Sequence, residues 1–138
     1  MITIDKTKAL SSRKLNKQNE LVESAESLLS AVKANRTATE IESFSEKSRV
    51  YDQWKAGQNI ENSILGLEAN SRGIALQNFM TDFVEPAVLQ YRKMVVAQKT
   101  VTSELWKEID SCQTVEELDQ IDVSTEVSAR FDVKLSQL

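Results

Sequence analysis

Three observations predict a mainly α fold. Glycine and proline are scarce, with three and one in 138 residues, too few for a chain built on many tight turns. Apolar side chains recur at helical spacing throughout residues 59–99, as the face of a packed helix requires. Aromatics make up 6% of the chain and hydrophobic residues 41%, so the core must rest on Leu, Ile, Val and Ala. The expected architecture is a helical hairpin, a long helix kinked at Pro86, and short β segments at the termini. It divides into an N-terminal arm (1–14), a helical domain (15–122) and a strand-like C-terminal tail (123–138).

In the arm, Ile2 and Ile4 alternate with polar neighbours, which suits an extended segment. From Leu15 to Ala34, Leu21, Val22, Ala25, Leu28, Leu29 and Val32 form an apolar stripe opposite Glu20, Glu23, Glu26 and Lys33, the pattern of an amphipathic helix. Asn35-Arg36 is a short joint that makes the first two helices an antiparallel hairpin. Thr37 and Glu40 have capping-box spacing. Ile41, Phe44, Ser48, Tyr51 and Lys55 continue as one stripe up to Gly57, a natural helix stop. Ile60, Ile64, Leu67, Ser71 and Ile74 then step at helical rhythm, and Leu76, Met80, Phe83 and Ala87 carry it onward. Pro86 has no amide hydrogen to donate, so it kinks or breaks this helix near Asp82. Gly66 and Gly73 would permit close helix approach. Lys99–Thr102 reads as a weak break. Thr114 and Glu117 form a second capping box, and residues 122–125 read as a linker.

The tail differs in kind. Val127, Ala129, Phe131, Val133 and Leu135 alternate with polar residues, the signature of a half-buried strand. A helix over 124–138 is the competing reading. A lone strand leaves backbone groups unpaired, so it must meet Ile2 and Ile4, another copy, or a different protein. The candidate interface residues are therefore Ile2, Ile4, Trp106, Val127, Ala129, Phe131, Val133 and Leu135. Trp106 and Phe131 enter as aromatic interface anchors, whereas core packing is favoured for Tyr51 and Trp54.

Site chemistry is sparse. Without histidine, and with Cys112 as the one cysteine, the usual triads and structural zinc sites are excluded. Glycine-rich phosphate loops are absent. The carboxylate pairs Asp82/Glu85, Glu104/Glu108 and Glu116/Glu117 fit helix starts and solvated faces. No catalytic residue, metal or cofactor is expected. No apolar run is long enough to span a membrane.

Charge is unevenly placed. Lys6, Lys8, Arg13, Lys14 and Lys17 make the start basic, while residues 104–138 are strongly acidic. Such asymmetry favours head-to-tail contact between copies or separate partners for the two ends; ordinary solvated faces are the alternative. The formal net charge of −4 argues against direct nucleic-acid binding.

The opening Met1-Ile2-Thr3-Ile4-Asp5-Lys6 resembles the start of many small proteins of tailed-bacteriophage structural and tail-assembly gene clusters. The segment Leu105-Trp106 through Ile109-Asp110 to Thr114 and Leu118 resembles a short C-terminal helical pair in some of them. The long middle helix and the tail lie outside this resemblance, and it transfers no site residues. It implies a non-enzymatic virion structural or connector protein, made in the host cytoplasm. Such a protein would work as a homo-oligomer or against larger virion proteins, the tail docking by β-augmentation. The alternatives are a tail-assembly chaperone missing from the mature particle, and an inhibitor of a host defence enzyme whose acidic C-terminal third mimics nucleic acid.

Overall fold

The computed structural model describes residues 2–30 and 43–138, with side chains from Lys8 onward in the first segment. Its elements are α1 Ile2–Ser27, α2 Phe44–Lys55, α3 Ile64–Ser71, α4 Leu76–Phe79, a π turn Met80–Val84, α5 Glu85–Ser111, α6 Val115–Asp119 and α7 Val123–Ser136. The fold is mainly α, and no strand occurs among the described residues. The joint at 35–36, the Thr37/Glu40 capping box and Ile41 lie outside the described residues. The chain forms two compact units, one from Met1–Ala31 with Lys93–Leu138 and one from Val32–Arg92. Helix α5 contributes to both.

In the first unit, α1 runs without a break through the segment expected as an extended arm, Ile2 and Ile4 included. Two hydrogen bonds fix how α1 lies against α5. Lys14 Nζ donates to the Asp110 carbonyl at 2.8 Å, and Gln98 Nε2 donates to the Ala25 carbonyl at 2.6 Å. Positions 14 and 110 are thus level, as are 25 and 98, so the helices are antiparallel. Helix α7 returns along α5 through Glu108–Arg130 and Glu104–Lys134 ion pairs. Leu21, Ala97, Val101, Leu105, Ile109, Leu118, Val123, Val127 and Phe131 fill the core between them.

The tail is a helix, which corrects the strand expectation. Asp122 caps it by accepting from the Thr125 amide at 3.4 Å, so the supposed linker is a helix start. Val123, Val127 and Phe131 are buried and Leu135 packs against the same core. These residues step by four, a helical stripe. Four is even, so the same residues also satisfy a period of two. The two readings part only at Ala129 and Val133, which are exposed on the opposite side.

Nor does α5 break at Lys99–Thr102. The Thr100 and Thr102 hydroxyls donate to the Val96 and Gln98 carbonyls, both at 2.8 Å, which satisfies them inside the helix. Val101 between them is fully buried, and its packing outweighs the mild helix penalty of β-branched residues.

In the second unit, the long helix expected over 59–99 is interrupted at Gly73 rather than at Pro86. Gly57 and Gly73 both have positive φ. Each supplies the C′ amide of a Schellman turn, Gly57 to the Trp54 carbonyl and Gly73 to the Asn70 carbonyl. Gly73 therefore ends α3 instead of admitting another helix. Gly66 does admit close backbone approach, but from Ile60 and Glu61 in the preceding turn.

Pro86 sits in the first turn of α5, directly after the π turn. The Glu85 amide donates to the Met80 carbonyl, five residues back, so the ladder shifts register just before the residue that cannot donate. The extra residue in that turn moves the buried stripe to Met80, Val84 and Val88, leaving Phe83 exposed. In α3 the buried residues are Leu65, Gly66 and Ala69, not the expected Ile64 and Leu67.

Candidate interaction surface

The first unit holds an apolar groove between α1 and α5, about 430 Å³, lined by Val22, Ala25, Glu26, Gln98, Lys99, Thr102, Ser103, Trp106 and Lys107. Ala25 forms its buried floor, while Val22 and Trp106 are each 42% exposed at its mouth. Leu15, one heptad before Val22 on the same side of α1, is also exposed. The Gln98–Ala25 hydrogen bond closes one end of the groove. Glu26 and Lys99 flank that end, and among the described residues neither belongs to an ion pair.

The predicted interface residues are therefore dispersed. Trp106 alone stands in the groove. Val127 and Phe131 are core, Leu135 is part of that packing, and Ala129 and Val133 face solvent. Ile2 and Ile4 lie in α1. The sequence pattern puts Val22 on the apolar stripe of α1 and a weak break at Lys99–Thr102. The i, i+7 spacings Leu15/Val22 and Lys99/Trp106 were the available signal, since such pairs share a helix face.

The charged ends of the chain also meet within this unit. Arg13 Nη1 lies 3.4 Å from Asp119 Oδ1, and Lys17 Nζ donates to the Ile121 carbonyl at 2.5 Å. With Lys14 on the Asp110 carbonyl, three bases of the N-terminal segment find acceptors in the C-terminal third, and of these three Arg13 alone meets a carboxylate.

The second unit holds a smaller pocket of about 180 Å³ lined chiefly by Phe44, Leu65, Phe79, Phe83, Val84 and Val88. Beside it a polar strap ties α2 to α5. Tyr51 Oη donates to Glu85 Oε2 at 2.8 Å, and Lys55 Nζ lies 3.4 Å from the same oxygen. Arg92 Nη2 donates to Ser48 Oγ at 2.6 Å and to Asp52 Oδ2 at 3.0 Å. Its guanidinium lies 5.3 Å from the Tyr51 ring centroid, within cation–π range.

Burial, and then the Glu85 carboxylate, push the Tyr51 phenol up to about 12. The phenol is therefore a permanent donor at neutral pH, and the strap reads as a structural tie. Burial likewise raises the Cys112 thiol, which opposes thiolate formation. No group of three or more metal-ligating side chains occurs among the described residues. No helix of the described residues is long and apolar enough to cross a membrane.

No family model, curated protein or solved structure matches the chain.

Proposed function

We propose that this protein works by packing against other protein chains, as a structural or connector component of a tailed-phage virion. The observation that carries the contact reading is the groove between α1 and α5, with Val22 and Trp106 half-exposed at its mouth. A concave apolar surface with an aromatic anchor suits a helix or a second bundle. The virion assignment rests on the resemblance of residues 1–6 and 105–118 to phage structural proteins. Docking moves from a tail strand to the groove, since α7 is a core helix and no longer free for β-augmentation. The nucleic-acid mimic gains no support, because Glu104, Glu108, Asp119 and Glu126 are drawn into ion pairs.

Mass spectrometry of purified phage particles tests the assignment. A fixed number of copies per particle is expected. Presence only in assembly intermediates would replace it with the chaperone role, and absence from both would overturn it.

A further inference from the structure

We infer that the α1–α5 groove is the interface of a symmetric homodimer, in which α1 of one copy lies over α5 of the other. This inference rests on the contact reading above and names its partner. The argument is one of self-complementarity. A two-fold interface presents the same patch from both sides, so a charge on it is stabilised where the symmetry operation sets it against its opposite. Here the levels are fixed by the hydrogen bonds from Lys14 to Asp110 and from Gln98 to Ala25. Glu26 on α1 therefore stands within two residues, about 3 Å along the axis, of the level of Lys99 on α5.

A two-fold axis parallel to the helices exchanges α1 and α5 while preserving level. It sets Glu26 of each copy against Lys99 of the other, twice over. The same operation lays the exposed Leu15 and Val22 of one copy around Trp106 of the other, since Trp106 is level with the middle of that stretch. The apolar centre and the charged end are thus both matched by a second copy. Neither charge has an ion-pair partner within the described chain, so both are available to pair across the interface. The product is a four-helix contact of the kind in which antiparallel pairs bury a shared seam.

Sedimentation of the full chain across a concentration series tests this. The wild type is expected to reach twice the 15.5 kDa chain mass. Trp106→Ala should weaken dimerisation about thirty-fold or more, with helix content unchanged because the residue is half-exposed. Glu26→Lys and Lys99→Glu should each weaken it about tenfold or more. An equal mixture of these two single variants should recover the dimer, because the mixed pair restores both contacts.

A chain that stays monomeric at high concentration overturns the inference. So does a dimer indifferent to Trp106→Ala, or a mixture of the charge variants that fails to associate. A monomeric chain found in particles would remove the dimer and leave the contact reading standing. A groove-dependent dimer missing from particles and intermediates would remove the virion role and keep the dimer.

Discussion

The two units hold their helices by different means. In the first, an aliphatic core is closed by contacts between distant parts of the chain: Lys17 reaches Ile121 across 104 positions and Arg13 reaches Asp119 across 106. In the second, the ties are nearer, Tyr51 to Glu85 across 34 and Arg92 to Asp52 across 40. Loop-closure entropy grows only logarithmically, so the longer closures cost about 1 kcal/mol more. That is small beside the burial of ten core side chains, each contributing roughly 1.5–3 kcal/mol for a large aliphatic group. The first unit is thus governed by apolar packing and the second also by a polar strap, and substitutions should separate the two.

The largest expected effect is in the first unit. Phe131 is 7% exposed and Val133 is 54% exposed, although both stand on the same side of a two-residue alternation. Phe131→Ala should cost about 3–5 kcal/mol in denaturant unfolding. Val133→Ala should stay within about 0.5 kcal/mol. Comparable losses at both positions would restore the strand and break the account of the first core. Phe79→Ala, at a buried aromatic of the second core, should fall in the same range as Phe131→Ala. Amide exchange in the two variants then shows whether each loss of protection stays within its own unit.

The strap sets the next magnitude. Tyr51→Phe removes the hydrogen bond to Glu85 without opening a cavity and should cost about 1–2 kcal/mol. It also predicts a pH dependence. The phenol titrates near 10 when unfolded and at about 12 when folded. Its contribution is complete below pH 10 and is lost as pH rises through 12. Glu85 has the opposite sign. The Tyr51 hydrogen bond holds its carboxyl below the ordinary value of 4.5, so its contribution is present above 4.5 and fades as pH falls further. Thermal melts between pH 9 and 12 should fall more steeply for the wild type than for Tyr51→Phe, and equal slopes would remove Tyr51 as the cause.

Much of this was legible in the sequence because local signals and packing agreed. Leu21 and Ala25 on α1 are buried as their spacing requires, and Leu29 in the turn after it is buried too. Thr114 caps α6 by accepting from the Glu117 amide at 3.1 Å. What was not legible arose where one pattern admits two structures. Val123, Val127, Phe131 and Leu135 satisfy periods of four and two alike. Ile64 and Leu67 keep helical rhythm with their neighbours, yet α3 turns Leu65 and Ala69 inward instead. The π turn shifts the inward face from Phe83 to Val84, a register change no spacing rule anticipates. The groove was hidden because Val22 continues a core stripe in sequence while standing at its edge in space.

The smallest effects lie where the chain ends meet, and they separate two kinds of electrostatic contact within the first unit. Lys17 is partly buried and donates to a backbone carbonyl between α6 and α7, an acceptor that would otherwise lose a partner. Lys17→Met keeps the apolar stem and removes the donor, so it should cost about 1 kcal/mol. Arg13 and Asp119 are 55% and 53% exposed, so solvent and salt screen their attraction. Arg13→Ala should cost about 0–0.5 kcal/mol, and raising the salt concentration should erase even that. Unfolding measured at low and high salt distinguishes them: the Lys17→Met loss should persist because its acceptor is a fixed dipole at short range. Should both losses vanish with salt, the N-terminal bases act only as a diffuse charge, and the first unit would owe its closure to the aliphatic core alone.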